Sequence, residues 1–564
     1  MTKVAIVTVD YNGHKDTSEL LESVKKLDTN GLEILWLVVD NGSDTSIKNV
    51  IKDYKWVSWM QTGKNLGYTG GYNKGMKYAY QWGADYVLII NNDTLFNSPN
   101  LLKKMIGDLN KNSKVGVVSP KVYFAPGYEF FKEKYSKSDV GKVIWYAGAN
   151  FDWANIGSTH RGIDEVDKGQ YDLSEKTEFT SGCCMLIRRN VFEKIGYFEE
   201  KLFAYLDDAD WMVRLKNSGF EEWYEGSVSI YHKVGRTAEI GSSWTDYLIT
   251  RNRLWFGFKY APFRTRFALF REAIKFLIVG RTAQKEGVMD FFNGVWGYKK
   301  AKAIENPEYP LDLSIIIVNF NTNDLTNNAV KSVENGHPGV RSETIVIDNG
   351  SDETFEVPNS VKFIKNQKNL GFAVANNQGI EFSLGKYVLL LNSDAEAKKG
   401  SIEALYNFAK SHKNLGAVAG RLLNDDGSIQ GSVYKLPTVW RTLFEGVKKY
   451  SPVGNTPQKV DAPSMAAFLI TPEALEKIGL LNEKYFMYFE DLDYCREIKR
   501  KGMDIYYLPD AEVIHHHGSS GKNLADAANQ WRRAIPSSIL YHGKINHFLI
   551  NTILWVGQKL GKKY

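Results

Sequence analysis

The sequence predicts an α/β protein in which one open, mostly parallel sheet domain occurs twice in tandem. The apolar fraction of 43% and the charged fraction of 24% are those of an ordinary globular protein. The length of 564 residues exceeds what one hydrophobic core supports. Strand-like and helix-like segments alternate, with polar side chains after the strands. Because this order begins again at Leu313, two copies of one domain are expected.

The first copy alternates β-branched runs with helix-like segments. We expect strands over residues 3–9, 33–39 and 86–90, a helix over 17–27 and a glycine-rich loop over 64–75. Asp10, Asp40 and Asp93 fall at the ends of three strands. Ligands of open parallel sheets bind at the carboxyl ends of the strands, so these carboxylates mark a candidate site.

The second copy repeats the same motifs in the same order. The pairs are IVTVDYN with IIIVNFN, DNGSD at 40–44 and 348–352, KNLG at 64–67 and 368–371, and NND with NSD. Chance similarity does not preserve so many elements in one order, so the chain is a tandem duplication. The first copy is longer, and its extra residues, expected within 123–176, are predicted to shape a specificity loop.

The duplication gives a division of the chain into four parts. We expect sheet domains over residues 1–250 and 310–525, a basic, aromatic helical connector over 251–309 and a basic amphipathic helical tail over 526–564. Each sheet domain is therefore followed by basic aromatic helices.

An acidic cluster precedes a helix-like segment in both copies. Asp491 lies 283 residues after Asp208, and His515 lies 283 residues after His232. Acids in a first helical turn can simply complement the helix macrodipole. That explanation leaves the in-register histidine unexplained. A carboxylate at a cleft can serve as a general base, with Glu490 positioning rather than reacting.

The strand-terminal carboxylates also suggest a metal site. Asp93 or Asp394, with a histidine supplied from downstream, could hold Mg²⁺ or Mn²⁺ on a diphosphate. Such an ion would neutralise the leaving group. The three histidines at 515–517 also suggest zinc. Consecutive residues of an extended segment point to alternating faces, however, which favours the single ligand His515.

Two repeated motifs have simpler interpretations as well. The Asn-Gly pair within residues 40–43 could be a tight turn, whereas Asp40 at a strand end could accept the imide N–H of a pyrimidine base. The glycines of the KNLG loops allow a ligand to approach the backbone. Their spacing matches neither a dinucleotide fingerprint nor a P-loop. Recurrence in both copies favours a ligand site.

The tails carry an unbalanced charge. Residues 251–285 contain nine Lys or Arg and one acid, Glu272, and residues 530–564 contain no acid. Such segments, rich in aromatic side chains, can lie in an anionic membrane interface or pack as ordinary helices. No apolar run reaches the roughly 18 residues of a spanning helix, and nothing at the N-terminus resembles a signal peptide. We expect a cytoplasmic protein, peripheral on the inner face of the cell membrane.

Together these motifs resemble family 2 inverting glycosyltransferases of the GT-A fold, in their rhamnosyltransferase-like and galactofuranosyltransferase-like branch. The resemblance covers residues 3–253 and 311–533. It implies transfer of a sugar from a nucleotide diphosphate to a hydroxyl, with inversion. It makes Asp208 and Asp491 the catalytic bases. It implies metal ligation by four side chains, namely Asp93, His232, Asp394 and His515.

The resemblance also implies donor-binding side chains. These are Asp10, Asp40, Lys64, Asn65, Asn73 and Asn92 in the first copy, and Asn319, Asp348, Lys368, Asn369, Asn377 and Ser393 in the second. One departure concerns the metal. Asn91 and Asn392 stand where the family has an aspartate, and an amide oxygen brings no charge.

The sequence leaves three functions to compare. The favoured one is a bifunctional enzyme that uses dTDP-rhamnose or a UDP-sugar and a lipid-linked or oligosaccharide acceptor in cell-surface glycan synthesis. The second is one catalytic domain with one glycan-binding or scaffolding domain. The third, a membrane-bound sugar-binding protein, leaves two intact acidic clusters unexplained. No nucleic-acid partner is expected.

Overall fold

A computed structural model describes most of the chain and divides it into two compact units. The described residues are 1–234, 242–299, 308–335, 339–353, 355, 357–358, 360–445, 449–450, 454–516 and 527–559. The units are Met1–Glu308 and Tyr309–Tyr564. His517, the last of the three consecutive histidines, and parts of the predicted connector and tail lie outside the described residues.

The first unit is an α/β domain followed by helices. Its strands are β1 Thr2–Asp10, β2 Leu32–Asp40, β3 Val57–Gln61, β4 Tyr86–Ile90, β5 Thr94–Phe96, β6 Val115–Phe124, β7 Ile144–Tyr146, β8 Ala149–Asp152, β9 Gly157–His160, β10 Glu175–Thr177, β11 Cys184–Arg188 and β12 Glu221–His232. Its helices are α1 His14–Ser23, α2 Lys48–Ile51, α3 Gly67–Gln81, α4 Leu101–Lys111, α5 Arg189–Ile195, α6 Asp207–Asn217, α7 Ser243–Tyr260, α8 Phe263–Val279 and α9 Thr282–Phe292.

The second unit repeats this plan. Its strands are β13 Leu311–Asn319, β14 Ser342–Asp348, β15 Lys362–Lys365, β16 Gly385–Asn392, β17 Ala395–Ala397, β18 Leu415–Leu423, β19 Val433–Tyr434, β20 Lys449–Tyr450, β21 Gln458–Lys459, β22 Ala462–Pro463, β23 Ala467–Ile470 and β24 Asp504–His515. Its helices are α10 Asn323–Asn335, α11 Phe372–Phe382, α12 Ser401–Ser411, α13 Val439–Glu445, α14 Pro472–Lys477, α15 Glu490–Arg500, α16 Ala527–His542 and α17 Lys544–Lys559.

From β12 and β24 inward, the two main sheets share one strand order. The first runs β10-β12-β6-β11-β4-β1-β2-β3, and the second runs β17-β24-β18-β23-β16-β13-β14-β15. The strands β4, β1, β2 and β3 are parallel, as are β16, β13, β14 and β15. This confirms the predicted pair of tandem α/β domains. The other half of each sheet is mixed, because β11 and β23 run antiparallel to both neighbours.

The β-branched runs explain why these strands lie at the centre. Residues 4–7 of β1 and 315–317 of β13 are at most 2% exposed. Helices cover both faces of a parallel sheet, so its central strands read as continuous apolar runs. The strands then end together. Asp10 pairs with Asp40, and Asn319 pairs with Asp348, which places the polar motifs at one edge.

Candidate active site

Asp10 organises the edge of the first sheet. Its carboxylate has no exposed surface and accepts hydrogen bonds from the Gly13 amide at 3.2 Å, the Ser43 hydroxyl at 3.2 Å and the Thr17 hydroxyl. His14 Nδ1 lies 2.9 Å from the same group. Asp10 therefore holds the β1 and β2 loops together from beneath. The donor contact that the sequence predicted for Asp10 stays a prediction.

Asn319 has the same place in the second unit. It is fully buried, and its Oδ1 accepts hydrogen bonds from the hydroxyls of Thr322 at 3.0 Å and Thr326 at 2.9 Å. Its Nδ2 donates to Asp348 Oδ1 at 3.3 Å. An amide thus replaces the carboxylate, and it too holds loops instead of facing solvent.

The carboxylates that end β2 and β14 differ between the units. Both are fully buried. Asp40 Oδ2 accepts hydrogen bonds from the Ile47 amide at 3.1 Å and from Gln61 Nε2 at 2.9 Å. Asp348 Oδ2 has no hydrogen-bond partner among the described residues, although Oδ1 accepts from the Ser351 amide at 3.2 Å. Direct contact between Asp40 and a donor would require Gln61 to move.

The glycine-rich loops are braced by an asparagine. Asn65 Oδ1 accepts the Gly67 amide at 2.8 Å, and Asn369 Oδ1 accepts the Gly371 amide at 2.9 Å. Both asparagines also accept a hydrogen bond from the side chain of the asparagine in the DNGSD motif. Lys64 and Lys368 are exposed beside these loops, so their ammonium groups remain accessible to a phosphate.

Asn73 and Asn377 lie under the site. Asn73 exchanges hydrogen bonds with the Phe198 backbone, both at 3.0 Å, and Asn377 does the same with the Leu481 backbone, both at 2.9 Å. Both side chains are 2% exposed. Their amides support the segment before the acidic cluster. The donor contacts that the sequence predicted for them stay predictions.

The predicted metal ligands come together in pairs. His232 Nε2 lies 3.3 Å from Asp93 Oδ1, and His515 Nε2 lies 3.4 Å from Asp394 Oδ1. The pairs form because β5 and β17 run antiparallel to β12 and β24. Within the described ranges, no three His, Cys, Asp or Glu side chains form a group that could hold an ion.

Two smaller side chains lie beside these pairs. Asn92 Nδ2 donates to the Thr17 hydroxyl at 3.1 Å and to the Gly13 carbonyl at 3.4 Å. Ser393 accepts a hydrogen bond from the Thr322 hydroxyl at 3.1 Å. Both side chains therefore link the third motif to the loop after the first strand. Asn92 keeps part of its surface exposed, whereas Ser393 is buried.

A strained loop precedes each acidic cluster. Tyr205 and Leu206 have φ angles of 69° and 60°, and Tyr488 and Phe489 have φ angles of 69° and 71°. Bulky side chains rarely adopt this left-handed region, which costs on the order of 1–3 kcal/mol per residue. The same strain in both units, directly before α6 and α15, indicates a loop whose shape is functionally constrained.

The clusters share a pattern of burial and bonding. Asp207 and Glu490 are buried, whereas Asp208 and Asp491 each keep part of their surface exposed. Asp208 Oδ1 accepts the amide of the next residue at 2.8 Å, and Asp491 Oδ1 does so at 2.8 Å. Each helix therefore presents one accessible carboxylate in a fixed orientation.

Burial also separates the protonation states within the clusters. It raises the pKa of the Asp208 carboxyl to about 6. Burial and the charge of Asp208 raise the pKa of Asp207 well above its usual range. In the second unit, burial and the charge of Asp491 raise the pKa of Glu490 to about 8. At neutral pH most of Glu490 therefore keeps its proton, whereas most of Asp208 is ionised, and the pKa of Asp207 is displaced in the same direction as that of Glu490.

The segment predicted as a glycine-rich loop over 64–75 is helical from Gly67 onward, and this first turn of α3, like that of α11, packs directly on the strained loop. The Thr69 amide donates to the Phe203 carbonyl at 3.2 Å, and the Phe372 amide donates to the Phe486 carbonyl at 2.8 Å. A Cβ at Gly67 would lie 2.2 Å from that Phe203 oxygen, so only glycine fits there. The donor-side loop and the acidic cluster are thereby held against each other in both units.

Sequence analysis missed two residues that hold the strained loop. Asn252 is fully buried in α7 and donates to the carbonyls of Leu202 at 2.9 Å, Ala204 at 2.7 Å and Tyr205 at 3.0 Å. The fully buried Arg251 also donates to the Leu202 carbonyl at 3.0 Å. The sequence contains one signal that could have identified them. The Arg-Asn pair at 251–252 places a neutral polar side chain at the start of an otherwise basic and aromatic segment.

The second unit holds its loop differently. In α16 the Ser537 hydroxyl donates to the Met487 carbonyl at 2.8 Å. Phe489 packs against Tyr541, with ring centroids 5.4 Å apart. The helices after each sheet thus belong to the support of the site.

Comparison with known proteins places this geometry in a family. The profile of Glycosyl transferase family 2 matches residues 5–196 and 314–477, more than half of the chain. The Haloferax volcanii low-salt glycan biosynthesis hexosyltransferase Agl10 is 30% identical over 215 residues, covering 36% of this chain and 67% of the relative. A Mycobacterium tuberculosis N-acetylglucosaminyl-diphospho-decaprenol L-rhamnosyltransferase is 27% identical over 217 residues, covering 32% and 69%.

A third relative has a similar extent. The dTDP-rhamnosyl transferase RfbF of Shigella flexneri is 23% identical over 235 residues, covering 42% of this chain and 70% of the relative. The matched segments of the family profile contain the strand-end carboxylates and glycine-rich loops of both units. The chain belongs to glycosyl transferase family 2, with one family segment in each of its two units.

Proposed function

We propose that the chain is a bifunctional inverting glycosyltransferase with one complete active site in each unit. The observation that carries the proposal is the repeated acidic loop, in which Asp208 and Asp491 occupy the same strained, partly exposed position. A unit that only bound glycans would have no need of a carboxylate held in this way. Neither unit has lost its acid or its strand-end carboxylate–histidine pair.

The accessible carboxylate is proposed to act as the general base. In the first unit, Asp208 accepts the proton of the acceptor hydroxyl as that oxygen attacks the anomeric carbon of the donor. The new glycosidic bond forms as the bond from the anomeric carbon to the diphosphate oxygen breaks on the opposite face, which inverts the configuration. Asp491 takes the same role in the second unit. Strain in each loop fixes the base before substrate arrives.

A divalent cation, Mg²⁺ or Mn²⁺, fits the pairs of Asp93 with His232 and of Asp394 with His515. Asp93 Oδ1 is buried and has no hydrogen-bond partner among the described residues. His515 Nδ1 lies 2.7 Å from Gln430 Oε1, a contact that orients the ring with Nε2 toward Asp394. Two protein ligands leave coordination positions for diphosphate and water oxygens. When bound, the ion would neutralise negative charge on the leaving diphosphate.

The donor is proposed to lie along the loops at the strand ends. The exposed Lys64 and Lys368 would bind the diphosphate, and Asp348 would accept a hydrogen bond from the base. Asn65 and Asn369 brace the loops through Oδ1, and Asn92 does so through Nδ2. The other polar atom of each side chain would contact the donor.

The relatives suggest the substrates. Two of them are named as rhamnosyltransferases, one of these for dTDP-rhamnose and the other for a polyprenyl-diphosphate-linked acceptor. We infer that the donors are dTDP-rhamnose or UDP-sugars and that the acceptor is lipid-linked or an oligosaccharide. The described residues contain no helix long and apolar enough to cross a membrane. We also propose that the protein works at the inner face of the cell membrane as a peripheral protein.

Separate inactivation of the two bases tests the proposal. Asp208→Asn and Asp491→Asn should each abolish a different sugar transfer, by roughly 10²- to 10⁴-fold, because each removes one general base. The products from a panel of nucleotide sugars are compared by mass spectrometry, with Asp53→Asn, a change at an exposed carboxylate outside the repeated motifs, as the control. A variant that retains every transfer at the wild-type rate would support one catalytic unit and one glycan-binding or scaffolding unit instead.

A further inference from the structure

Helix α8 of the first unit exposes an unusually apolar face. Its exposed large side chains follow helical spacing, and they are Phe263 at 81%, Phe267 at 54%, Phe270 at 43%, Ile274 at 44%, Leu277 at 42% and Ile278 at 69%. These positions lie three or four residues apart, so they form one continuous stripe. A contiguous apolar patch of this kind on a protein surface indicates an interaction site.

A basic stripe runs beside the apolar one. Arg264, Arg271 and Lys275 are all exposed and share the same helical spacing. The single acid of α8, Glu272, is turned toward α7, where Arg253 Nη1 binds it at 2.8 Å. The outer face of the helix is therefore apolar and cationic, without a compensating carboxylate.

The opposite side of α8 is already packed. Leu269 is 3% exposed and Ala273 is 1% exposed. A Cβ at Gly257 of α7 would lie 2.1 Å from a methyl group of Leu269, which shows how closely the two helices approach. The helix thus has its own core contacts, and the exposed stripe is a second face that the described residues of its unit leave uncovered.

We infer that α8 docks in the plane of an anionic membrane surface, with its apolar stripe among the lipid chains and its basic stripe at the headgroups. The positive charge of the exposed face favours an anionic membrane over a second copy of the protein. A second copy of the helix would bring like charges together, whereas anionic lipid neutralises them. The inference deepens the proposed function by naming the surface on which a lipid-linked acceptor would be met. Its test measures vesicle binding and does not depend on transfer.

Helix α17 of the second unit carries a smaller face of the same kind. Ile545 is 78% exposed, Phe548 69% and Trp555 60%, and the helix contains Lys544 and Lys559 but no acid. The predicted membrane contact of the C-terminal tail would fall on this helix. Because α17 could also contribute to membrane binding, every α8 variant keeps α17 unchanged, so that a loss of binding reports on α8.

The experiment is flotation of the full-length protein with vesicles of phosphatidylcholine alone or of phosphatidylcholine with phosphatidylglycerol. The wild type should bind the anionic vesicles. Phe267→Ser with Phe270→Ser should lower that binding roughly tenfold or more, and Arg264→Gln with Arg271→Gln and Lys275→Gln should lower it similarly. Leu173→Ser, a change at a side chain that is 79% exposed in the same unit, is the matched control and should bind as the wild type does.

Three results would overturn the inference. One is binding of the Phe267→Ser and Phe270→Ser variant at the wild-type level, which would assign all membrane contact to another part of the chain. Another is equal binding of the wild type to neutral and anionic vesicles. The third is a wild-type dimer in light scattering that the Phe267→Ser and Phe270→Ser variant converts to a monomer. Transfer to a short soluble acceptor should be unchanged in all variants, which separates this test from that of the proposed function.

Discussion

In the first unit both oxygens of Asp40, at the end of β2, accept hydrogen bonds. In the second unit Oδ2 of the corresponding Asp348 has no hydrogen-bond partner among the described residues. One of the hydrogen bonds to Asp40 comes from the side-chain amide of Gln61. The position that pairs with Asp348 is Lys365, whose side chain is exposed. The strained loops before Asp208 and Asp491, by contrast, have nearly the same backbone angles.

This difference indicates which parts of a duplicated domain diverge. The loop that presents the proposed base has kept its shape in both units, so the reaction chemistry is expected to be the same. The surroundings of the strand-end carboxylate have changed, so we expect the two units to recognise their donors differently. The supporting contacts have also changed, from Arg251 and Asn252 in one unit to Ser537 in the other.

The largest effect that would sharpen the comparison is expected at Asn252. Asn252→Ala removes hydrogen bonds to three loop carbonyls and leaves those of Ala204 and Tyr205 without this donor, so it should cost about 2–4 kcal/mol of stability in the first unit. Because the loop presents Asp208, kcat of the first transfer should also fall, by up to roughly 100-fold. Ser537→Ala, which removes one hydrogen bond, should cost about 1 kcal/mol. An unchanged kcat for Asn252→Ala would show that α7 does not position the base.

The next effect concerns the strand-end carboxylates. Asp348→Asn should raise the donor KM of the second unit by roughly 10- to 100-fold with little change in kcat, because it removes a hydrogen bond to a charged group. Asp40→Asn should mainly lower the stability of the first unit, since its carboxylate bonds to Ile47 and Gln61. Donor KM and thermal unfolding of both variants check this. Equal increases in KM would contradict the difference between the units.

The smallest effect is the pH dependence of the first transfer. The pKa of Asp208 is raised to about 6, so kcat/KM should fall about tenfold between pH 7 and pH 5 as the base is protonated. A raised carboxyl pKa means that the folded state holds the proton more tightly than the unfolded chain. The contribution of this group to stability is therefore largest below about pH 4 and is lost as pH rises through about 6. A profile with no inflection in this range would exclude Asp208 as the base.

Much of the fold could be predicted from the sequence, because β-branched runs followed by polar residues define strands and their ends. The constant spacing between the acid and the histidine also indicated that Asp208 and His232 belong to one repeated arrangement. Propensity could not reveal that β11 and β23 run antiparallel to their neighbours, since pairing direction depends on distant partners.

The sequence was less informative about individual polar side chains. Asn73 and Asn377 follow the KNLG motifs and resemble ligand contacts, but they lie in α3 and α11 and form hydrogen bonds with backbone groups more than a hundred residues away. Asn252, in contrast, looks like part of a basic surface segment although it is buried at the site. Its hydrogen-bond partners lie about fifty residues earlier in the chain, so its neighbours in the sequence do not reveal them. Hydrogen bonds between such distant residues have no periodic signature.

The central claim is that the chain holds two separate donor sites, and the stoichiometry of nucleoside diphosphate binding tests it most directly. Equilibrium dialysis of the full-length protein with UDP and dTDP in the presence of Mn²⁺ should give two sites per chain. Asp93→Ala should remove one site and Asp394→Ala the other, because each takes a proposed metal ligand from one unit. A single site per chain that only one of these substitutions affects would contradict the account.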